Sequence, residues 1–561
     1  MYTNRLSVRV KPLATSRRTL AIYALGFLTL VAYVWHALTV NYVMDDSFIT
    51  FRYVKNFVRG YGLVYNPGER VEGYTNFLWA MLLSAFNWFN PDMDLLPVAQ
   101  ALGILFGLAT IVFVILSSWS VHGEVSFSGL MGAAFLALNS AFVAWSTSGL
   151  ETILFTFLVF AASYFYVHPP KSDKKALLAP VLFVLASLAR PEGLLFFVIT
   201  TFHLAVTEFR SGRGLVNRRM AWWLLAFAAI YVPYFAWRFN YYGQLLPNTF
   251  YAKVGSGIQQ YLRGARYLLN YVRGYGFFVF LLALPLLIKK DRGKWLDLLL
   301  LQVICYLAYV VYVGGDGLGF SRFIVPVTPH IYLLVQEGIV EMDRWARQRV
   351  PTAARWKLAI PMILFLALSF LFTGRQTLLV LPFREAQRWY EPQSELYFPG
   401  TGSDHSYLWF DNYFVDRLTI AARWLEANAP PDAVVASTPE GAIGYYMNLR
   451  VIDMLGLNDF HIAHVKDVAM GTSRAGHEKG DGKYVLSRSP AYILMGNVAV
   501  LPRPLTEAEM AQKLVRKSEN EIWADPDFHK RYELVSVKLS DQGVFRYFTF
   551  YRLKQDAVKG G

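Results

Sequence analysis

The chain has 561 residues, of which 55% are hydrophobic and only 17% charged; soluble domains carry about 25% charged residues, so a purely soluble globule does not fit. An aromatic content of 16% argues against disorder over most of the length. A net charge of +14 in so apolar a chain points to membrane topology rather than to nucleic acid, and the single cysteine, Cys305, excludes a disulfide framework or a cysteine metal cluster.

Crossing a bilayer takes roughly 20 apolar residues, and the first such run is 20–42. Arg5, Arg9, Lys11, Arg17 and Arg18 precede it and no small-residue cleavage site follows. The positive-inside bias then places the N-terminus in the cytoplasm and Asp45 outside. Further spans are expected at 96–118, 127–145, 150–167, 176–189, 193–207, 220–238, 272–288, 295–313, 323–341 and 358–378, about 11 in all. The run 75–90 is too short and is expected to be interfacial or re-entrant. With this count the basic clusters Lys171/Lys174/Lys175, Arg210/Arg213/Arg218/Arg219, Lys289/Lys290/Arg292/Lys294 and Arg344/Arg347/Arg349/Arg355/Lys357 all fall on the cytoplasmic side. Loop 119–126, on that side too, has no Lys or Arg.

Residues 1–381 thus form a polytopic α-helical membrane module, and 382–561 an external α/β domain. Within the latter, Val415, Leu418, Ala422 and Leu425 have helical spacing over 413–427. Ala433–Ser437, Arg450–Met454 and Ala491–Met495 read as strands. The segments 532–540 and 544–553 alternate around Asp541-Gln542-Gly543, a hairpin pattern, and the tail from Lys554 reads as frayed.

This topology collects Asp45, Asp46, Arg52, Lys55, Glu69, Arg70, Glu72, Asn76, Glu151, Arg190, Glu192, Asn248, Tyr251, Lys253, Asp316 and Arg322 at the outer edge. Ionisable groups at membrane level are costly and usually functional, so one cavity open to the outer face is expected. Asp45-Asp46 supplies one general base and one orienting carboxylate, or else caps the following helix. Ser47–Gly60 puts Phe48, Phe51, Val54, Phe57 and Val58 on one face and Arg52, Lys55 and Arg59 on another, the pattern of a helix lying on the membrane surface. Glu69 to Asn76, with Arg70, Glu72 and Tyr74, reads as a site wall. Glu151 either belongs to the site or stabilises a helix N-terminus. Gly314–Arg322 is glycine-rich without the Gly-Lys-Ser/Thr of a P-loop. In the external domain, His461 and His464 are three apart, a pair that either binds a metal or is two ordinary surface histidines; the spacing His-x-x-x-His is absent, and no Gly-x-Ser-x-Gly elbow occurs.

Asp45-Asp46 after the first span, with Gly68-Glu69-Arg70-Val71-Glu72-Gly73-Tyr74-Thr75-Asn76, resembles the GT-C superfamily of membrane glycosyltransferases. More narrowly the chain is similar to the terminal β-(1→2)-arabinofuranosyltransferases of the bacterial envelope. Ser148–Thr152, Ala189–Gly193, Leu246–Lys253, Gly315-Asp316, Val451–Asp459 and Gly476–Lys479 fit the same pattern. The resemblance implies a polyprenyl-phosphate-sugar donor, an envelope glycan as acceptor, a bacterial plasma membrane location and no required metal. It implies Asp45 as base with Asp46 beside it. With it, Arg52, Lys55, Lys253 and Arg322 are expected at the donor phosphate. Glu69, Arg70, Glu72, Tyr74, Asn76, Glu151, Arg190, Asn248, Tyr251, Asp316 and His477 are expected around the substrates. Transfer of another sugar such as mannose, or transfer onto a protein, is the runner-up. A transporter would place polar residues in the middle of several spans with internal symmetry; the sequence shows neither. A non-catalytic envelope assembly protein would tolerate loss of both Asp45 and Asp46.

Overall fold

The computed structural model describes residues 17–123, 126–169, 177–215, 217–255, 257–289, 291–351, 356–378, 405–466, 468, 470–472, 474–539 and 547–555. The N-terminal basic residues through Lys11, the cluster at 171–175, the boundary at 381/382 and the turn Asp541-Gln542-Gly543 lie outside them, as do residues 556–561 of the tail.

Six helices are long and apolar enough to cross a membrane: Arg17–Val40, Leu95–His122, Gly193–Arg210, Arg218–Tyr242, Gly293–Val313 and Arg322–Arg349. Two bent pairs raise that number to eight among the described residues. The expected span 127–145 is one of them. It breaks at Asn139, whose side chain accepts a hydrogen bond from Phe142 N at 2.8 Å and starts a second helix at 55° to the first. The other corrects the expected span 272–288. Helix Ile258–Gly274 carries Arg263, Arg266 and Arg273, and the chain turns by 90° into Phe277–Ile288 after Gly276, which has φ 81°. Thr152–Val167 and Leu178–Ala189 are helices where spans are expected, but shorter than a full crossing, and the expected span 358–378 is the 23-residue helix Trp356–Leu378.

Phe77–Asn87 is an 11-residue helix packed against Asp46–Val58 and Leu178–Ala189, as the short run 75–90 implies. The bundle interior also holds a polar group that the sequence reading passed over. Gln302 donates to Ser163 Oγ at 2.9 Å and to Thr200 Oγ1 at 3.0 Å, and His330 Nε2 lies 3.1 Å from Gln302 Oε1, all buried. In an apolar solvent such bonds tie helices together.

The C-terminal half is a mixed sheet. Strand β1 (Val434–Ser437) pairs in parallel with β2 (Arg450–Asp453) and β3 (Tyr492–Leu494). Strand β6 (Tyr547–Leu553) runs antiparallel to β3, to β4 (Ala499–Leu501) and to β5 (Tyr532–Lys538). The register Lys538↔Tyr547 to Tyr532↔Leu553 is the expected hairpin. Three further strand positions and the helix over 413–427, here His405–Asn428, also agree with the sequence pattern. Trp424 of that helix packs on Phe548 and Phe550, with ring centroids 5.7 and 5.3 Å away. Strand β4 has three residues, too few to leave a periodic signal.

Parallel strands gather their connecting loops at their C-terminal ends, where crevices form. Here those loops, 438–442 after β1 and 454–459 after β2, press onto the rim of the helical bundle. Asn248 Nδ2 donates to Gly456 O at 2.9 Å and Leu457 O at 3.0 Å, and Tyr53 donates to Asn458 Oδ1 at 3.1 Å. The two halves therefore meet at the residues the sequence singled out.

Candidate active site where the sheet meets the membrane helices

Helix Asp46–Val58 is not the open surface helix that its pattern suggested. Ser47 through Val54 and Asn56 are buried, because the bundle covers one face and the C-terminal domain the other. Arg52 donates to Tyr65 O at 2.7 Å, Gly444 O at 2.5 Å, Leu449 O at 2.8 Å and Asn66 Oδ1 at 3.2 Å, with its guanidinium 4.4 Å over the Tyr65 ring. Its donors are occupied, so the structure corrects its assignment from phosphate binding to fastening the two halves. Lys55 donates to Tyr445 O at 3.0 Å, and burial holds its amine down to about 8. It too points at the domain rather than at an open pocket.

The adjacent acids separate sharply. Asp45 is 9% exposed and accepts hydrogen bonds from Ala442 N at 2.7 Å and Gly441 N at 3.2 Å. It caps no helix with its side chain, which excludes the capping alternative for Asp45. A β-carbon on Gly441 would stand 2.0 Å from Asp45 O and 2.4 Å from Oδ1, so this approach requires glycine. Burial pushes the Asp45 carboxyl up to about 7, with the Asp46 charge adding to it and the two amides opposing. Asp46 is partly exposed and has no hydrogen bond or ion pair among the described residues. Of the two, it is the carboxylate with oxygens to spare.

Three acids around this point were not expected. Asp411 accepts from Tyr42 Oη at 2.6 Å, and burial pushes it up to about 7. Asp453 accepts from Leu455 N at 2.8 Å, Gly456 N at 3.0 Å and Asn458 N at 2.5 Å. Burial raises both Asp453 and Glu440, but the amides favour the charge on Asp453 and leave Glu440 the neutral acid. Asp453 lies inside the quoted 451–459 motif; Asp411 and Glu440 carry no spacing signal.

Beside Asp46 lies a closed polar network. Glu151 accepts from Asn76 Nδ2 at 2.7 Å and pairs with Arg190 at 2.8 Å, and Arg190 also pairs with Glu192 at 2.9 Å. Glu151 thus serves the network and makes no side-chain cap bond for its helix. Arg322 pairs with Asp316 at 2.6 Å and counts Asp46 and Glu151 among its charge neighbours. The Phe323 ring lies 5.2 Å from the guanidinium carbons of both Arg190 and Arg322. Asp46, Asn76, Glu151, Arg190, Asp316 and Arg322 are thereby brought together.

Other expected site residues are not. Glu72 takes both its oxygens to Arg238, at 2.8 and 2.5 Å. Tyr74 is buried in an aromatic stack, 4.7 Å from Tyr53. Asn248 gives its Nδ2 to the domain's carbonyls, and its buried Oδ1 has no partner among the described residues. Glu69 pairs with Arg450, and Arg70 is exposed over Tyr241 at 4.8 Å. Tyr251 packs on His464 at 4.6 Å. Glu69, Asn248 and Tyr251 meet the C-terminal domain, whereas Glu72, Tyr74 and Arg70 are held by neighbours within the membrane module. Lys253 and His477 remain near one another across the junction. No group of three or more His, Cys, Asp or Glu is arranged to hold a metal among the described residues.

Comparison with solved structures gives ArnT from Cupriavidus metallidurans bound to undecaprenyl phosphate. The TM-score is 0.53 at 12% identity, covering 96% of this chain and 98% of that one. Apo ArnT gives 0.51, covering 97% and 98%. The chain has the GT-C fold of membrane glycosyltransferases. It is a multi-pass membrane protein. Over 332 residues it is 28% identical to the terminal β-(1→2)-arabinofuranosyltransferase of Mycobacterium tuberculosis, covering 57% of this chain and 50% of that protein. The protein of the same name from Corynebacterium glutamicum is 25% identical over 336 residues, 52% and 47% of the respective lengths. The chain spans about half the length of the curated relatives it matches. Residues 411–553 match a family described as a domain of unknown function, DUF8728. The resemblance read from the motifs is borne out by these relatives.

Proposed function

We propose that the chain is an inverting glycosyltransferase that moves a sugar, D-arabinofuranose, from a polyprenyl-phosphate donor to a hydroxyl of an envelope glycan. The observation that carries this is Asp46: an unpartnered carboxylate at the junction of the two halves, with the Asp316–Arg322 pair beside it. The relatives' names supply the sugar, and ArnT with its bound undecaprenyl phosphate supplies the donor class.

In this reading Asp46 takes the proton of the acceptor hydroxyl. The oxygen attacks the anomeric carbon from the face opposite the phosphate, the bond from that carbon to the phosphate oxygen breaks, and polyprenyl phosphate departs. Arg322 and Lys253 balance the leaving charge, rather than a divalent metal. Asp45, its oxygens engaged by Gly441 and Ala442, positions the C-terminal domain over the reacting centre. The membrane is the bacterial plasma membrane, with the N-terminus cytoplasmic and the sheet outside, as the basic residues before the first helix imply.

The test uses purified protein, a panel of labelled polyprenyl-phosphate sugars including arabinofuranose and mannose, and envelope glycan acceptors. Asp46→Asn is expected to lower turnover by about 10²–10⁴-fold while the lipid still binds. Full turnover in that variant would refute the base assignment, and no transfer from any donor by the wild type would refute the function.

A further inference from the structure

Cations collect where residues 474–478 of the C-terminal domain lie against the membrane module. Arg474, Arg516 and Lys253 are all charge neighbours of His477, whose imidazole is driven well below its ordinary range, first by burial and then by these charges. His477 Nδ1 lies 3.1 Å from Ala475 O.

Two glycines allow the approach. A β-carbon on Gly317 would lie 2.9 Å from Arg474 Cγ and 3.1 Å from Nε, so the arginine rests directly on the glycine-rich loop 314–319. A β-carbon on Gly476 would lie 3.1 Å from Lys253 Cε, so the lysine stem is laid along that backbone. This segment is held by Glu478, which pairs with Arg263 at 3.2 Å and accepts from Gly471 N at 2.7 Å.

Arg474 Nε is buried without a hydrogen-bond partner, and neither Arg474 nor Lys253 makes an ion pair among the described residues. The neighbouring carboxylates are engaged elsewhere: Glu478 by Arg263, and Asp316 by Arg322. Arg474 is a charge neighbour of Asp411, which in turn is a charge neighbour of Asp46. Arg474 is half-buried, but its shielded Nε without a partner, beside a second cation, is unfavourable by itself and is relieved by an anion. A planar fork and a mobile ammonium beside the same imidazole suit a phosphate-type oxyanion.

We propose that Arg474 and Lys253, which share His477 as a neighbour, jointly bind a phosphate-ester anion. Resting on the function proposed above, that anion is the phosphate of the lipid-linked donor. The C-terminal domain then supplies half of the donor site instead of serving only the acceptor, and donor binding clamps the domain onto the membrane module.

The experiment measures binding of undecaprenyl monophosphate to the full chain in nanodiscs, with undecaprenol and inorganic phosphate as separate arms. Arg474→Gln and Lys253→Gln are each expected to weaken undecaprenyl phosphate binding by about tenfold or more, while undecaprenol binding stays as in the wild type. Arg474→Lys should fall between, since it keeps the charge and loses the fork. It carries the test with Lys253→Gln if Arg474→Gln lowers the unfolding midpoint. Competition by inorganic phosphate would show that the headgroup alone suffices; its absence, with the variants still weakened, would place recognition on the ester in its membrane setting. Variants that bind undecaprenyl phosphate like the wild type would overturn this inference and leave the transferase reading standing. A wild type that prefers undecaprenol or binds neither lipid would overturn both.

Discussion

Two neighbouring regions of the rim hold the same kinds of residue and use them in opposite ways. Around Glu151 and Arg190 the buried charges are matched: Asn76, Glu151, Arg190 and Glu192 satisfy one another. Asp46, Lys253 and Arg474, half-buried at the same junction, make no ion pair among the described residues. The difference teaches that an ionisable residue at membrane level marks a site only when its hydrogen-bonding capacity is unspent. Spent capacity marks architecture, as at Arg52 and Glu72.

The sharpest way to break this contrast is to remove charge from the matched region. Arg190→Ala leaves Glu151 and Glu192 buried without their cation and is expected to cost about 3–5 kcal/mol, read as a large fall in the thermal unfolding midpoint. Lys253→Ala, from the open region, should stay within about 0.5 kcal/mol of the wild type. Equal losses in the two variants would remove the distinction.

A smaller effect is expected at the seam between the halves. Gly441→Ala forces a β-carbon into Asp45, and overpacking of this kind costs about 1–3 kcal/mol. Limited proteolysis should release the C-terminal domain sooner in this variant, and an unchanged cleavage pattern would mean that the Asp45 contact does not hold the seam.

The smallest effect is electrostatic. Asp45 and Asp411 are pushed up to about 7 from an ordinary value of 3.8. Between these values the folded chain binds more protons than the unfolded one, so stability contributed by these groups falls as pH rises and levels off above about 7. His477 is shifted the other way, but its contribution is complete once pH exceeds the ordinary histidine value, and that of Lys55 begins near 8. From pH 6.5 to 8 the wild-type midpoint should therefore drop, and Asp411→Asn should flatten the drop. A slope identical in both proteins would show that Asp411 is ionised throughout.

Much of the architecture was legible because local signals decide it. Long apolar runs fix most of the membrane helices, and alternation fixes the β5–β6 pair. The short run 75–90 gave away the Phe77–Asn87 helix by its length alone. The 90° turn after Gly274 was not legible, because hydropathy ignores direction and Arg263 and Arg266 of Ile258–Gly274 sit outside the apolar window. Among site residues, Glu151, Arg190, Asp316 and Arg322 were found because charge beside an apolar run is unusual. Asp411, Glu440 and Arg474 were missed because charge in a mixed α/β domain is ordinary.

The sequence by itself determined that the chain enters the membrane many times, that its polar residues gather at helix ends, and that a sheet-bearing domain follows. These are consequences of nearest-neighbour chemistry and of what a bilayer tolerates. Only the tertiary structure decided which of two adjacent aspartates keeps free oxygens, which arginines are consumed as fasteners, and that residues 474–478 bring cations to the membrane module. Those outcomes depend on partners separated by up to 397 positions in the chain, such as Ala442 for Asp45 and Leu449 for Arg52, and no local pattern encodes whom a side chain will meet.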